Sequence, residues 1–265
     1  MDGQVAEYAV RTPEQVRIFK EMLRNTTVLP DAESYEQRRQ SYSDRLAILV
    51  DPLRASAVQQ FLQYVTGVAD FWYLLMDATE AMEACMESWQ ALLEQHYRLM
   101  QRMTCDAFFQ GENTSTAMIS VEYYRRYGVP QMRQFVKAAH ASGKRAIVHM
   151  CGHLRDLMDD IRETGMDGIH ALTPPPIGNT DFEYAYRILP ANTSILGRFG
   201  AQQWIGQPVA RIRENLQRIL PHHIYQEHPF VLIVSSDLES FTLEDWLRLR
   251  DAAEAHEREG CRGGG

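Results

Sequence analysis

His149 and Cys151 stand two apart in the run Ile147–Gly152, IVHMCG. At the end of a β-strand, residues i and i+2 point to the same side. An imidazole and a thiol would then be presented together. That pair, with one or two further ligands, is a common donor set for Zn²⁺. Taken alone, the same two residues more often mean a buried thiol and a hydrogen-bonded histidine.

Other chemistry-bearing residues fall at comparable places. Glu112 and Asn113 follow the apolar run Cys105–Phe109. His170 lies near the end of Gly168–Leu172, and Arg198 follows Ser194–Gly197. Ser235, Ser236 and Asp237 follow Val231–Val234. In a β/α barrel the chemistry sits at the C-terminal ends of the strands. Each residue alone is weak evidence, and their joint placement on one rim is the signal.

The elements that must carry them alternate along the chain. Thr12 caps a helix from Pro13 to about Leu23, with proline at the first helical position. Strands are expected near Leu46–Val50, Cys105–Phe109, Arg145–His149, Gly168–Leu172, Ser194–Gly197 and Val231–Val234. Helices are expected over 55–66, 78–103, Ser120–Tyr127, Val129–Ser142, Leu154–Thr164, Val209–Leu220 and Leu243 to about Glu257. The stripe of Met82, Cys85, Met86, Trp89, Leu92, Leu93 and Tyr97 reads as core. His222, His223 and His228 fall in an expected loop. Repeated strand–helix units imply a parallel sheet covered by helices. Six strands are two short of a (β/α)8 barrel, while a doubly wound sheet lacks its glycine-rich phosphate loop here. One domain is expected over 1–258, with a disordered tail at 259–265.

Composition narrows the function. A chain of 265 residues with 45% hydrophobic and 23% charged residues can bury a large core. Its formal charge of −8 argues against nucleic acid or an anionic membrane surface as partner. No apolar run approaches the length of a membrane span, and the first residues lack the pattern of a signal peptide. The four cysteines are scattered, with no disulfide framework. A cytoplasmic location is expected, in which Cys151 stays reduced.

From about Tyr8 to the last helix the chain resembles the uroporphyrinogen decarboxylase superfamily. The resemblance rests on Val10–Val16 (VRTPEQV), Tyr124–Pro130 (YRRYGVP), Gly143–Gly152 (GKRAIVHMCG), Leu157–Gly168 (LMDDIRETGMDG) and Ser194–Gly197 (SILG). The stretch 143–168 is the most specific. The resemblance implies a TIM-type (β/α)8 barrel, incomplete at its N-terminus. The His-x-Cys-Gly motif is similar to the branch of zinc-dependent methyltransferases that act on corrinoid proteins or coenzyme M. There His149 and Cys151 would be zinc ligands. A further cysteine is expected after the last strand, where this chain has Val234–Asp237 instead. Glu112 and Asp237 are the carboxylates that could replace it.

The implied activity is transfer of a methyl group between a corrinoid or other carrier and a thiol acceptor. Zn²⁺ is the expected cofactor, and a corrinoid protein a possible partner. A second reading is a metal-free decarboxylase acting on an anionic, tetrapyrrole-type substrate, with Arg198 and His170 serving as the cation and the acid; Glu112 is a further catalytic candidate. A third is a non-catalytic partial barrel that binds a second copy or an N-terminal partner chain through its open sheet edges.

Overall fold

Thr12 begins the first helix through a reciprocal capping box. Its hydroxyl accepts the Gln15 N–H, and Gln15 Oε1 accepts the Thr12 N–H. Helix α1 (Pro13–Arg24) buries Val16 and Leu23, and Phe19 stacks on Trp89. The structure, a computed structural model, describes residues 7–42, 47–52, 54–234 and 240–262, with backbone only at 261 and 262. Contacts divide the chain into two compact units. The first comprises Met1–Asn113, Met118–Val148 and Glu163–Met166. The second comprises Thr114–Ala117, His149–Arg162 and Asp167–Gly265.

In the first unit, α2 (Ala32–Gln40) precedes β1 (Leu49–Val50). The strand expected from Leu46 is seen only at its end, and Leu46 lies outside the described residues. Next come α3 (Ala57–Gln60), a π-helical turn at Phe61–Val65, α4 (Val68–Asp77) and α5 (Thr79–Met100). All seven side chains of the expected α5 stripe, Met82 to Tyr97, are buried. Strand β2 (Ala107–Gly111) starts two residues later than expected, so Glu112 follows it directly.

The two helices expected over 120–142 are one helical run: α6 (Val121–Tyr123), a π-helical turn at Tyr124–Gly128 and α7 (Val129–His140). Pro130 lacks the N–H for a regular helical bond. It sits in the first turn of α7, where none is needed, and the wider π turn joins the two parts. Strand β3 (Arg145–His149) matches its expectation.

In the second unit, a 3₁₀ turn (Arg155–Leu157) leads into α8 (Met158–Arg162), dividing the helix expected over Leu154–Thr164. Then follow β4 (Gly168–Leu172), α9 (Phe182–Ile188), β5 (Ser194–Phe199), α10 (Val209–Ile219), α11 (His222–Glu227), β6 (Phe230–Val234) and α12 (Leu243–Arg262). His222 and His223 are helical rather than in the expected loop, and His228 caps α11. Helix α12 continues past 259, where a tail without structure was expected. Gly197 on β5 sits beneath the edge-to-face pair Phe182–Phe230. A Cβ there would come within 2.7 Å of both rings.

The sheet runs in the order β1-β2-β3-β4-β5-β6, with parallel pairing at β1–β2, β4–β5 and β5–β6. Strands taken in chain order and alternating with helices are the pattern of a TIM-type barrel. Six of its eight strands are present among the described residues. None of the described helices is long and apolar enough to cross a membrane.

Candidate functional site

The second unit gathers four of the residues read from the sequence. His149 closes β3, and Cys151 lies two residues on. His170 comes from β4 and Arg198 from β5. The Nδ1 atoms of His149 and His170 are 2.8 Å apart, with ring centroids separated by 5.0 Å. Two imidazoles this close cannot both carry a proton on the facing nitrogen. One ring must offer a bare lone pair, either to the other ring's N–H or to a cation shared by both.

The electrostatics favour that neutral form. Burial pushes His149 down to about 4, helped by His170 and by the Arg198 guanidinium. Burial also lowers His170. The Cys151 thiol is raised by burial, while Arg198 pulls it back. Arg198 thus acts on both His149 and Cys151.

The register of β4 changes just after His170. His170 pairs with Leu196 and Leu172 with Gly197, leaving Ala171 as a bulge. Ala171 has φ 63°, in the left-handed region. The Met150 N–H donates to the His170 carbonyl at 2.9 Å, fixing the chain between His149 and Cys151.

Glu112 belongs to the first unit and is 1% exposed. The Ser56 N–H and the Gln110 amide donate to Oε1 at 2.6 and 2.7 Å, and the Ser56 hydroxyl donates to Oε2 at 2.6 Å. Tyr97 donates to Gln110 Oε1 at 2.7 Å. Burial raises the Glu112 carboxyl to about 7, although the bonds from Ser56 and Gln110 oppose the rise. To ligate a metal it would have to give up some of those donors. Asn113 beside it has φ 49° and donates to Gln63 Oε1 at 3.1 Å.

Asp237, the other carboxylate considered, lies outside the described residues together with Ser235 and Ser236. Among the described residues, no three His, Cys, Asp or Glu side chains form one metal-ligating group. The donor chemistry of His149, His170 and Cys151 suits Zn²⁺, and the two imidazoles already face one another. Cys151 would have to turn towards them. The sequence reading took His170 as an acid and missed its pairing with His149. It also missed Ser115, whose hydroxyl accepts the His153 N–H at 3.1 Å.

The model of the uroporphyrinogen decarboxylase (URO-D) family matches residues 57–245. No curated protein matches the sequence. Among solved structures, a methyltransferase from Methanosarcina mazei is similar with a TM-score of 0.62 at 13% identity, over 90% of this chain. This chain spans 64% of that methyltransferase's length. A chitinase from Chromobacterium violaceum is similar at a TM-score of 0.45 and 12% identity, over 86% of this chain and 96% of its own. With the family model covering most of its length, the chain belongs to the uroporphyrinogen decarboxylase family.

Proposed function

We propose that this protein is a zinc-dependent methyltransferase whose metal is held by His149, His170 and Cys151. The observation that carries the reading is the approach of the two histidine Nδ1 atoms to 2.8 Å. His170 then takes the place of the cysteine that the family motif expects after the last strand. Support also comes from the family match and from the methyltransferase among the similar folds.

The roles follow from the residues. Burial, with His170 and Arg198, pushes His149 well below the usual imidazole range, which favours the neutral ring and its lone pair. The Arg198 guanidinium favours the thiolate of Cys151 and attracts an acceptor of negative charge. Bound Zn²⁺ would hold a thiol acceptor as its thiolate at neutral pH. The acceptor sulfur would attack the methyl carbon, and the carrier, a corrinoid or another methyl donor, would leave with the bonding electron pair.

Metal analysis tests this directly. About one zinc per chain is expected by elemental analysis. It should be lost in the double variant His149→Ala/Cys151→Ala and in His170→Ala. Purified protein that holds no zinc and takes up none on titration would overturn the reading. Transfer from methylcobalamin to a small thiol then tests the activity.

A metal-free decarboxylase is the second reading, favoured by the guanidinium that the cluster contains. Arg198 would hold a substrate carboxylate and His170 would protonate the carbon released. Decarboxylation of uroporphyrinogen that survives a chelator would select it.

A further inference from the structure

We infer that Ser115 is a positioning residue for Cys151, an inference that rests on the metal-site reading above. Ser115 lies in the segment 112–116 that follows β2. It acts through the backbone. Its Oγ accepts the N–H of His153 at 3.1 Å and that of Ala117 at 3.2 Å. Thr116 completes the clamp: its N–H and its hydroxyl donate to the His153 carbonyl at 3.0 and 3.3 Å. Both backbone polar groups of His153 are therefore fixed by two adjacent residues of another segment.

Cys151 lies between that clamp and a second one. On its strand side, Met150 N–H is bonded to the His170 carbonyl. Between the clamps, Gly152 is pressed against the same segment. A Cβ at 152 would be 2.4 Å from both the Thr114 carbonyl oxygen and Ser115 Cβ. No side chain fits there without moving the backbone. The position of the Cys151 Cα is thus set at both ends by hydrogen bonds, and the hydroxyl of Ser115 holds the end away from the strand. Ser115 is 8% exposed, so water does not readily replace that acceptor.

The test compares Ser115→Ala with Ser115→Thr, which keeps the hydroxyl, in the full chain. Zinc affinity is read by competition with a chelator. Alkylation of Cys151 by iodoacetamide is read on the metal-free protein by peptide mass, with Cys105 in the other unit as internal control. Loss of an outer contact to a metal ligand weakens binding by about tenfold or more. Ser115→Ala should weaken zinc by about that factor and alkylate Cys151 several-fold faster at an unchanged Cys105 rate. Ser115→Thr should restore both. A folded Ser115→Ala protein with wild-type zinc affinity and wild-type Cys151 alkylation overturns the inference.

If the wild-type protein binds no zinc, the metal reading fails and the alkylation rates alone decide the role of Ser115. If Ser115→Ala does not fold, amide exchange in the wild-type chain decides. Slow exchange of the His153 amide supports the clamp, and exchange at the rate of open loops overturns it.

Discussion

Glu112→Gln should make the protein more stable at alkaline pH. The carboxyl has an ordinary value of 4.5 and is raised to about 7 by burial in the folded protein. The folded state therefore binds the proton more tightly than the unfolded chain. The stability this gives is fully present below 4.5 and is lost as the pH rises through 7. The gap between the two values corresponds to about 3 kcal/mol.

Glutamine can replace the protonated acid almost atom for atom. Its amide oxygen takes the place of Oε1, which accepts from Ser56 N–H and Gln110. Its NH₂ takes the place of Oε2 and donates to the Ser56 hydroxyl, which turns from donor to acceptor. Urea unfolding of both proteins at pH 4.5, 6 and 8 reads the effect. The variant should match the wild type at the lowest pH and exceed it by up to about 3 kcal/mol at the highest. A difference that does not change with pH would refute the reasoning. So would a variant less stable at pH 8, because the three donors would then outweigh the cost of burying the charge.

Two further substitutions test the packing of β5 and the capping of α1. Gly197→Ala drives a methyl group into the rings of Phe182 and Phe230 and should cost about 1–3 kcal/mol, read as a lower urea midpoint; an unchanged midpoint would mean that the aromatic pair can move aside. Thr12→Ala removes the hydroxyl that accepts the Gln15 N–H and should cost about 1 kcal/mol, while Thr12→Ser should keep most of it. Equal losses in the two variants would show that the threonine methyl matters more than the cap.

The sheet was legible because its strands read as short apolar runs between helical segments. Helix α5 was legible because its buried residues recur at helical spacing. Helix α2 was not, since it buries no residue and has no apolar stripe to read. Its visible support is local, an Asp31 side chain that accepts the Ser34 N–H at its start. On the rim, the apolar runs pointed to His149 and Cys151 at the end of β3, as found, whereas His170 lies in the middle of β4 and Arg198 inside β5, which runs two residues further than expected. The sequence could not pair His149 with His170. That contact depends on the relative register of two strands, and no local signal encodes register. The partners of Glu112 were hidden for a similar reason, as Ser56 is 56 residues away along the chain.

The backbone at Ala171 bears on which residue completes the site. A non-glycine residue at φ 63° is strained, at a cost of about 1–2 kcal/mol. Strain of this kind persists where surrounding bonds hold it and where it serves a purpose. Here the Thr173 hydroxyl donates to the Ala171 carbonyl at 2.8 Å, and Met150 N–H to the His170 carbonyl at 2.9 Å. A bulge re-aims the side chains beside it, and the side chain directly before this one is His170. Glu112 stands differently, within a set of donors that already satisfies both its oxygens. Left-handed backbone lies beside both residues, at Ala171 and at Asn113, so the partners decide: His170 faces His149 at 2.8 Å while both Glu112 oxygens are already bonded, which favours His170 over Glu112 in the proposed metal site.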